Sequence, residues 1–271
     1  MTLPGREEVT MGDIEAVREV LGDTWWEEML GQSDDLARTA EARCPGAVER
    51  LEALLRAWAI GFAAVRADVL SPHLGESRRG LGADEAAGFL AALDAQVLHV
   101  DSAGFVVPQA FRPKASGGRY ALFSRNGSGL ALNLEYLIQL AAAAELISVH
   151  NVAGADICFE QGEFDAVVET DGAPVLAMEA KARIHGSDGL LGLLASLLRL
   201  GMNRHASAKQ NHRRKYTALL NITARGPVTL WLVAEGARWA FDVTAADSSL
   251  HLAPRPLPPA SRVMTRQRPH S

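Results

Sequence analysis

The chain has 271 residues, is 48% hydrophobic and 22% charged, and carries a formal net charge of -5. That is the make-up of an ordinary globular protein long enough for one large domain or two small ones. Its only cysteines, Cys44 and Cys158, lie far apart and outside any CxxC or Cys/His cluster, which argues against a disulfide framework and against structural zinc.

The N-terminus is acidic and lacks the basic-then-apolar order of a secretory signal. The longest apolar stretch, GLLGLLASLLRLGM, is broken by Arg199 and falls short of the about 20 residues that cross a bilayer. These features predict a soluble, cytoplasmic protein with no membrane partner.

Residues 12 to 70 repeat apolar positions at a spacing of three to four and predict two or three helices, with Trp25, Trp26 and Trp58 as core anchors. A Gly, Ser and Arg-rich loop, SPHLGESRRGLG, closes this N-terminal helical region, taken as residues 1–75. Residues 76–115 then predict a helix from Asp84 to Asp94, a strand from Gln96 to Val100, the turn DSAG and a strand from Phe105 to Val107. Helix followed by tight hairpin is the order of winged-helix modules, although no basic or amide cluster marks a recognition helix.

From residue 118 to 250 the pattern reads as a short strand, GRYALFS, the turn RNGSG, and an apolar helix carrying a lone carboxylate, Glu135. Three strands follow, ADICFE, FDAVVE and PVLAMEAK. An apolar helix from Leu190 to Met202 runs on into a basic segment, and two strands, GPVTLWLVAE and ARWAFDV, complete the series. The order suits an α/β or α+β mixed sheet. The Pro and Arg-rich tail, residues 251–271, predicts disorder.

Asp165, Glu179 and Lys181 interrupt two apolar strands. Side chains alternate along a strand, so Glu179 and Lys181 share a face about 6 to 7 Å apart. A two-residue loop at Asp171-Gly172 sets Asp165 opposite Met178, whereas an odd-length or bulged loop sets it opposite Glu179; Pro174 and Gly172 favour the latter. Opposed carboxylates destabilise a sheet unless a cation lies between them. Two carboxylates with the backbone carbonyl of Ala180 suit Mg²⁺, for which Mn²⁺ substitutes, and Lys181 adds a charge that can serve a water or a phosphate. The bland alternative is a strand end that emerges into solvent.

The spacing Asp165, thirteen residues, then Glu179-Ala180-Lys181, on hairpin strands between two helices, resembles the PD-(D/E)XK nuclease superfamily over about residues 118–245. The resemblance implies a restriction-endonuclease-like core and metal-dependent hydrolysis of phosphodiesters. It implies Asp165 and Glu179 as metal ligands, Lys181 serving the attacking water, and Glu135 assisting from the first core helix. Phe164 stands where the family pattern has proline, and Gln210 and Tyr216 are six apart where some members have a Gln and Tyr four apart.

Charge is uneven: residues 1 to 60 hold 13 Asp and Glu against 6 Arg, whereas residues 189 to 234 hold 7 Lys and Arg and no acid. Arg204, Lys209, Gln210, Arg213, Arg214 and Lys215 are therefore the expected nucleic-acid contacts, with DNA favoured. The reading is an Mg²⁺-dependent nuclease acting in repair, restriction or phage defence. Its alternative is a non-catalytic nucleic-acid-binding or regulatory protein on a nuclease-like scaffold. A homodimer is left open, because cutting both strands commonly uses two copies.

Overall fold

The computed structural model describes residues 11–66, 80–113, 118–127, 129–186, 188–247 and 249–256. Four helices come first: α1 (Met11–Leu21), α2 (Asp23–Arg43), α3 (Ala47–Val65) and α4 (Ala83–Asp94). The periodic stretch around Trp25 and Trp26 breaks into α1 and α2 at Gly22, whose φ of 87° lies where glycine is favoured. The hairpin β1 (Leu98–Val100) and β2 (Phe105–Pro108) follows α4 as expected, and a short β3 (Tyr120–Ala121) extends it to three strands.

The expected single strand at GRYALFS is two pieces, because β4 (Phe123–Asn126) pairs with β5 (Gly129–Leu132) as a separate ribbon. The apolar run therefore begins as strand, and the helix α5 starts only at Leu134, running to Ser148. Asn133 caps it by accepting a hydrogen bond from the Tyr136 backbone N–H, which fixes where strand becomes helix.

Beyond α5 lie β6 (Ile157–Gln161), β7 (Phe164–Thr170), β8 (Ala173–Ala180), α6 (Leu190–Met202), α7 (Gln210–Thr223), β9 (Val228–Ala234), β10 (Ala237–Ala246) and β11 (Ser249–Arg255). The basic segment does not continue α6. The chain turns at 203–209 and restarts as α7. The end of order expected at His251 falls later, since His251 to Arg255 pair with Thr244 to Ala240 of β10; residues 257–271 lie outside the described residues, as does most of the Gly, Ser and Arg-rich loop.

The fold among the described residues is thus mixed α/β, with seven α-helices, a six-stranded mixed sheet and two small sheets. The large sheet runs β11-β10-β9-β8-β7-β6 and is antiparallel except where β8 lies parallel to β9. That parallel pair requires a crossover, which α6 and α7 supply. β8 and β9 read as near-continuous apolar runs because both faces are covered.

One face buries Phe159, Ala166, Val168, Met178 and Trp231 against α5, and the same cluster takes in Leu51, Phe62, Phe89 and Val106 from the N-terminal helices and hairpin. The opposite face buries Val167, Ala177, Leu230, Leu232 and Phe241 against α6 and α7, with Val17 of α1 added. Trp25 packs edge-on to Trp239 with ring centroids 5.7 Å apart, and Trp58 lies 6.3 Å from Phe89, so these tryptophans are core anchors. α4 contacts α2, α3 and α5. It buries Asp84, Glu85, Phe89 and Leu90, which leaves little of it to enter a DNA groove.

Arg238 ties these layers together. Its guanidinium lies 3.1 Å from Glu145 of α5 and 3.4 Å from Asp84 of α4, and donates to the carbonyls of Ala234 and Ala237. Its backbone exchanges hydrogen bonds with Gln32 of α2. The guanidinium holds the Glu145 carboxyl below its usual range despite burial. Arg238→Ala takes the guanidinium from buried Asp84 and part-buried Glu145, leaving them the Gly236 N–H and His150, and should destabilise the protein by about 1.5–3 kcal/mol in urea unfolding; a loss below about 1 kcal/mol would show that the node is not needed to join helices to sheet.

Candidate active site

The turn between β7 and β8 contains two residues, Asp171 and Gly172, with φ of 52° and 74°. Both values are positive, as a tight hairpin with the natural strand twist demands. By itself that turn would set Asp165 opposite Met178. A bulge between Val168 and Glu169 shifts the register, so that Ala166 faces Met178, and continuing that register by one residue sets Asp165 across from Glu179. The loop expected to be odd-length or bulged is thus a two-residue turn, and it is the bulge in the strands beyond it that brings the two carboxylates together.

Asp165 Oδ2 accepts a 2.7 Å hydrogen bond from the Ala180 backbone N–H. Its carboxyl pKa is pushed up to about 8, first by burial and then by the neighbouring charge of Glu179, against the pull of Lys181, the Ala180 N–H and Lys215. Glu179 is only 1% exposed. Such a carboxylate is tolerated only if cations reach it, and two do: Lys181 Nζ lies 2.6 Å from Oε1 and Lys215 Nζ lies 2.5 Å from Oε2.

Lys181 begins just past the end of β8, anchored by its N–H to the Val233 carbonyl. Its ammonium also donates to the Ala180 carbonyl at 2.9 Å and to Glu135 Oε1 at 3.0 Å. Glu135 comes from the first turn of α5, where the helix dipole favours an acid. The carboxylates of Glu179, Glu135 and Asp165 raise the Lys181 pKa above its usual value, against the effect of burial. Asp165, Glu179 and Lys181 are thus gathered at one end of the sheet, as their spacing predicts, and Glu135 joins them from α5.

Next to them, Tyr136 donates its hydroxyl to Glu160 at 2.9 Å. Its pKa is pushed up to about 12 by burial and by that carboxylate.

Among the described residues, no three His, Cys, Asp or Glu side chains are arranged to hold a metal ion. What converges instead is a set of oxygens, from Glu135, Glu179 and the Ala180 carbonyl, around the Lys181 ammonium. The donors are hard oxygens of the kind Mg²⁺ and Mn²⁺ prefer, and a cation already occupies their centre in the form of Nζ. The chemistry of the donor set fits a divalent ion. The side chains must shift to admit one.

The basic segment divides. Lys209, at the start of α7, pairs with Asp188 at 2.7 Å, which lowers the pKa of that carboxyl. Arg213 folds back onto the carbonyls of Arg204 and Ala206, buttressing the turn before α7. Arg204, Gln210 and Arg214 are exposed. Lys215, expected among the nucleic-acid contacts, is instead 13% exposed with its ammonium on Glu179.

The sequence signal for that burial is the face His212, Tyr216 and Leu219, spaced four and three, which turns inward; Lys215 borders it. Tyr216 accepts a hydrogen bond from the Leu250 N–H, and His212 Nδ1 lies 2.8 Å from Ser196 Oγ of α6. Ser196 donates its one hydroxyl proton to the Gly192 carbonyl, so Nδ1–H is the donor to Oγ.

Two pockets, of 590 Å³ and 310 Å³, lie elsewhere, between α2 and β10 and among α2, α4 and α5; both are lined by Arg238, and neither touches Glu179. The carboxylate cluster lies at the sheet end, outside both pockets. Comparison with known proteins finds no matching family model, no matching curated protein and no matching solved structure. No helix among the described residues is long and apolar enough to cross a membrane.

Burial, followed by the nearby Lys209 and Lys181, lowers the His212 pKa to about 4. An unfolded histidine takes up its proton near 6.5, so above that pH both states are neutral and the full stability is present. As pH falls from about 6.5 to about 4 the unfolded state gains the proton first and stability drops, by up to about 1.4 kcal/mol per pH unit. His212→Gln should flatten the urea midpoint against pH in that window relative to wild type. An identical profile would contradict the buried neutral imidazole.

Proposed function

We propose that this chain is a divalent-metal-dependent nuclease that hydrolyses phosphodiester bonds, with DNA as the favoured substrate, on a restriction-endonuclease-like core. One observation carries the reading: Asp165 and Glu179 on adjacent strands, with the Lys181 ammonium 2.6 Å from Glu179 and Glu135 beside it. The antiparallel β6-β7-β8 run between α5 and α6, with β9 parallel to β8, supports the core assignment by analogy alone.

Asp165, Glu179 and the Ala180 carbonyl would hold Mg²⁺ or Mn²⁺, which supplies Lewis acidity and a water of lowered pKa. Lys181 then presents its ammonium to the attacking water or to charge developing on the phosphate. Glu135 keeps that ammonium oriented. Exposed Arg204, Gln210 and Arg214 meet backbone phosphates, where binding gains from counterion release. A water oxygen would bond to phosphorus as the bond to the leaving sugar oxygen breaks, the water giving up a proton to solvent and the sugar oxygen taking one from it, and no bond to the protein forms.

The second reading, a non-catalytic nucleic-acid-binding protein on the same scaffold, has one observation in its favour. Each Glu179 oxygen already has a lysine ammonium beside it, at 2.6 Å and 2.5 Å, although Oε1 accepts no hydrogen bond of good geometry.

Supercoiled, linear and single-stranded DNA, and RNA, incubated with the protein in Mg²⁺, Mn²⁺ or EDTA separate the two. The expected result is DNA cleavage that EDTA abolishes and that Lys181→Ala reduces by about 100-fold or more while the variant stays folded. Undiminished cleavage by Lys181→Ala would sink the residue assignment. Salt-dependent DNA retardation without cutting by either protein would select the binding reading.

A further inference from the structure

Lys215 is expected from the sequence to contact nucleic acid, yet its ammonium makes three contacts within the protein. It lies 2.5 Å from Glu179 Oε2, donates to the Glu163 carbonyl, and sits 5.8 Å from the centroid of the Phe164 ring. Glu179, at 1% exposure, has no water to replace a lost partner. A lysine serving only the phosphate backbone would leave its charge in solvent, where counterion exchange supplies the binding energy. A carboxylate kept clear for a permanent metal would not have an ammonium on each oxygen.

The charges can be counted. The ion pairs join two acids, Glu135 and Glu179, to two bases, Lys181 and Lys215, while Asp165 accepts from the Ala180 N–H, so these charges are balanced with no metal present. A divalent ion that takes Glu179 must displace ammonium from it. Lys181 has other oxygens within reach, at Glu135 and Ala180. Lys215 retains only the Glu163 carbonyl and the Phe164 ring.

Resting on the metal-dependent reading above, we infer that Lys215 is an internal counter-cation: it holds Glu179 when no metal is bound and competes with divalent metal for that carboxylate. α7 sets it in place, held by the His212 to Ser196 and Leu250 to Tyr216 hydrogen bonds. The sheet end therefore folds without metal, and the same lysine weakens metal binding. Lys215 is a positioning residue that acts through Glu179.

The test is a thermal-unfolding titration of the full chain with MnCl₂ and MgCl₂, comparing wild type, Lys215→Gln, Lys215→Arg and Glu179→Gln. Lys215→Gln should melt lower than wild type without added ion. It should also reach its half-maximal Mn²⁺ shift at roughly tenfold lower concentration, because one competing charge has gone. Lys215→Arg should keep the wild-type midpoint, and Glu179→Gln should lose the response.

A merely structural lysine would lower the melting temperature without tightening the metal. Lys215→Gln that is destabilised at every Mn²⁺ concentration, or titrates at the wild-type midpoint or above, therefore overturns the inference while a responsive wild type leaves the nuclease reading standing. A response in Lys215→Gln alone supports competition. No response in either protein overturns both.

Discussion

Two carboxylates facing each other across a buried hairpin set the terms for the rest of this molecule. At an effective dielectric of about 20, like unit charges 4 Å apart repel by about 4 kcal/mol, comparable to much of a domain's net stability. The fold meets that cost with two ammonium groups from different directions, Lys181 from the strand that carries Glu179 and Lys215 from α7, and by pushing the proton affinity of Asp165 upward. The backbone makes the conflict unavoidable. A bulge after the β7–β8 turn puts Asp165 across from Glu179 where a regular register would have separated them.

The surrounding layers follow from where those charges sit. The parallel β8–β9 pair needs a crossover, and the crossover brings α7 past the sheet end, where Lys215 can reach Glu179. On the other face Asn133 caps α5, which starts at Leu134, so that Glu135 stands at the same end. Two helices on opposite faces thus close on the end of one strand. The N-terminal helices stand apart from this chemistry but not from the core, because Phe62 and Phe89 share a cluster with Met178 and Trp231. Arg238 adds an electrostatic tie between α4, α5 and the sheet.

A buried charge network of this kind is poor at maximising stability and good at specifying one arrangement, since each member is costly without its partners. That is the character expected of a working site. The Arg238 node has the same construction, one guanidinium shared by the carboxylates of Asp84 and Glu145 and by two carbonyls, and it lines both pockets.

Much was legible in the sequence because it depends on local pattern. Apolar spacing marked the helices and α6 to its end points, alternation and turn residues marked β6, β7 and β8, and the placing of Gly172 and Pro174 signalled a bulged hairpin that opposes Asp165 and Glu179. What the sequence could not determine depends on long-range pairing. β5 and β11 exist because a partner strand satisfies their backbone groups, which no local pattern announces. Lys215 reads as one more nucleic-acid contact in a basic run, and only the packing of α7 on α6, β10 and β11 decided that its ammonium, 36 residues along the chain from Glu179, is buried on that carboxylate. Composition and period determine which faces are apolar; the tertiary structure decides which charges must share the space between them, because that is fixed by distances the chain does not encode locally.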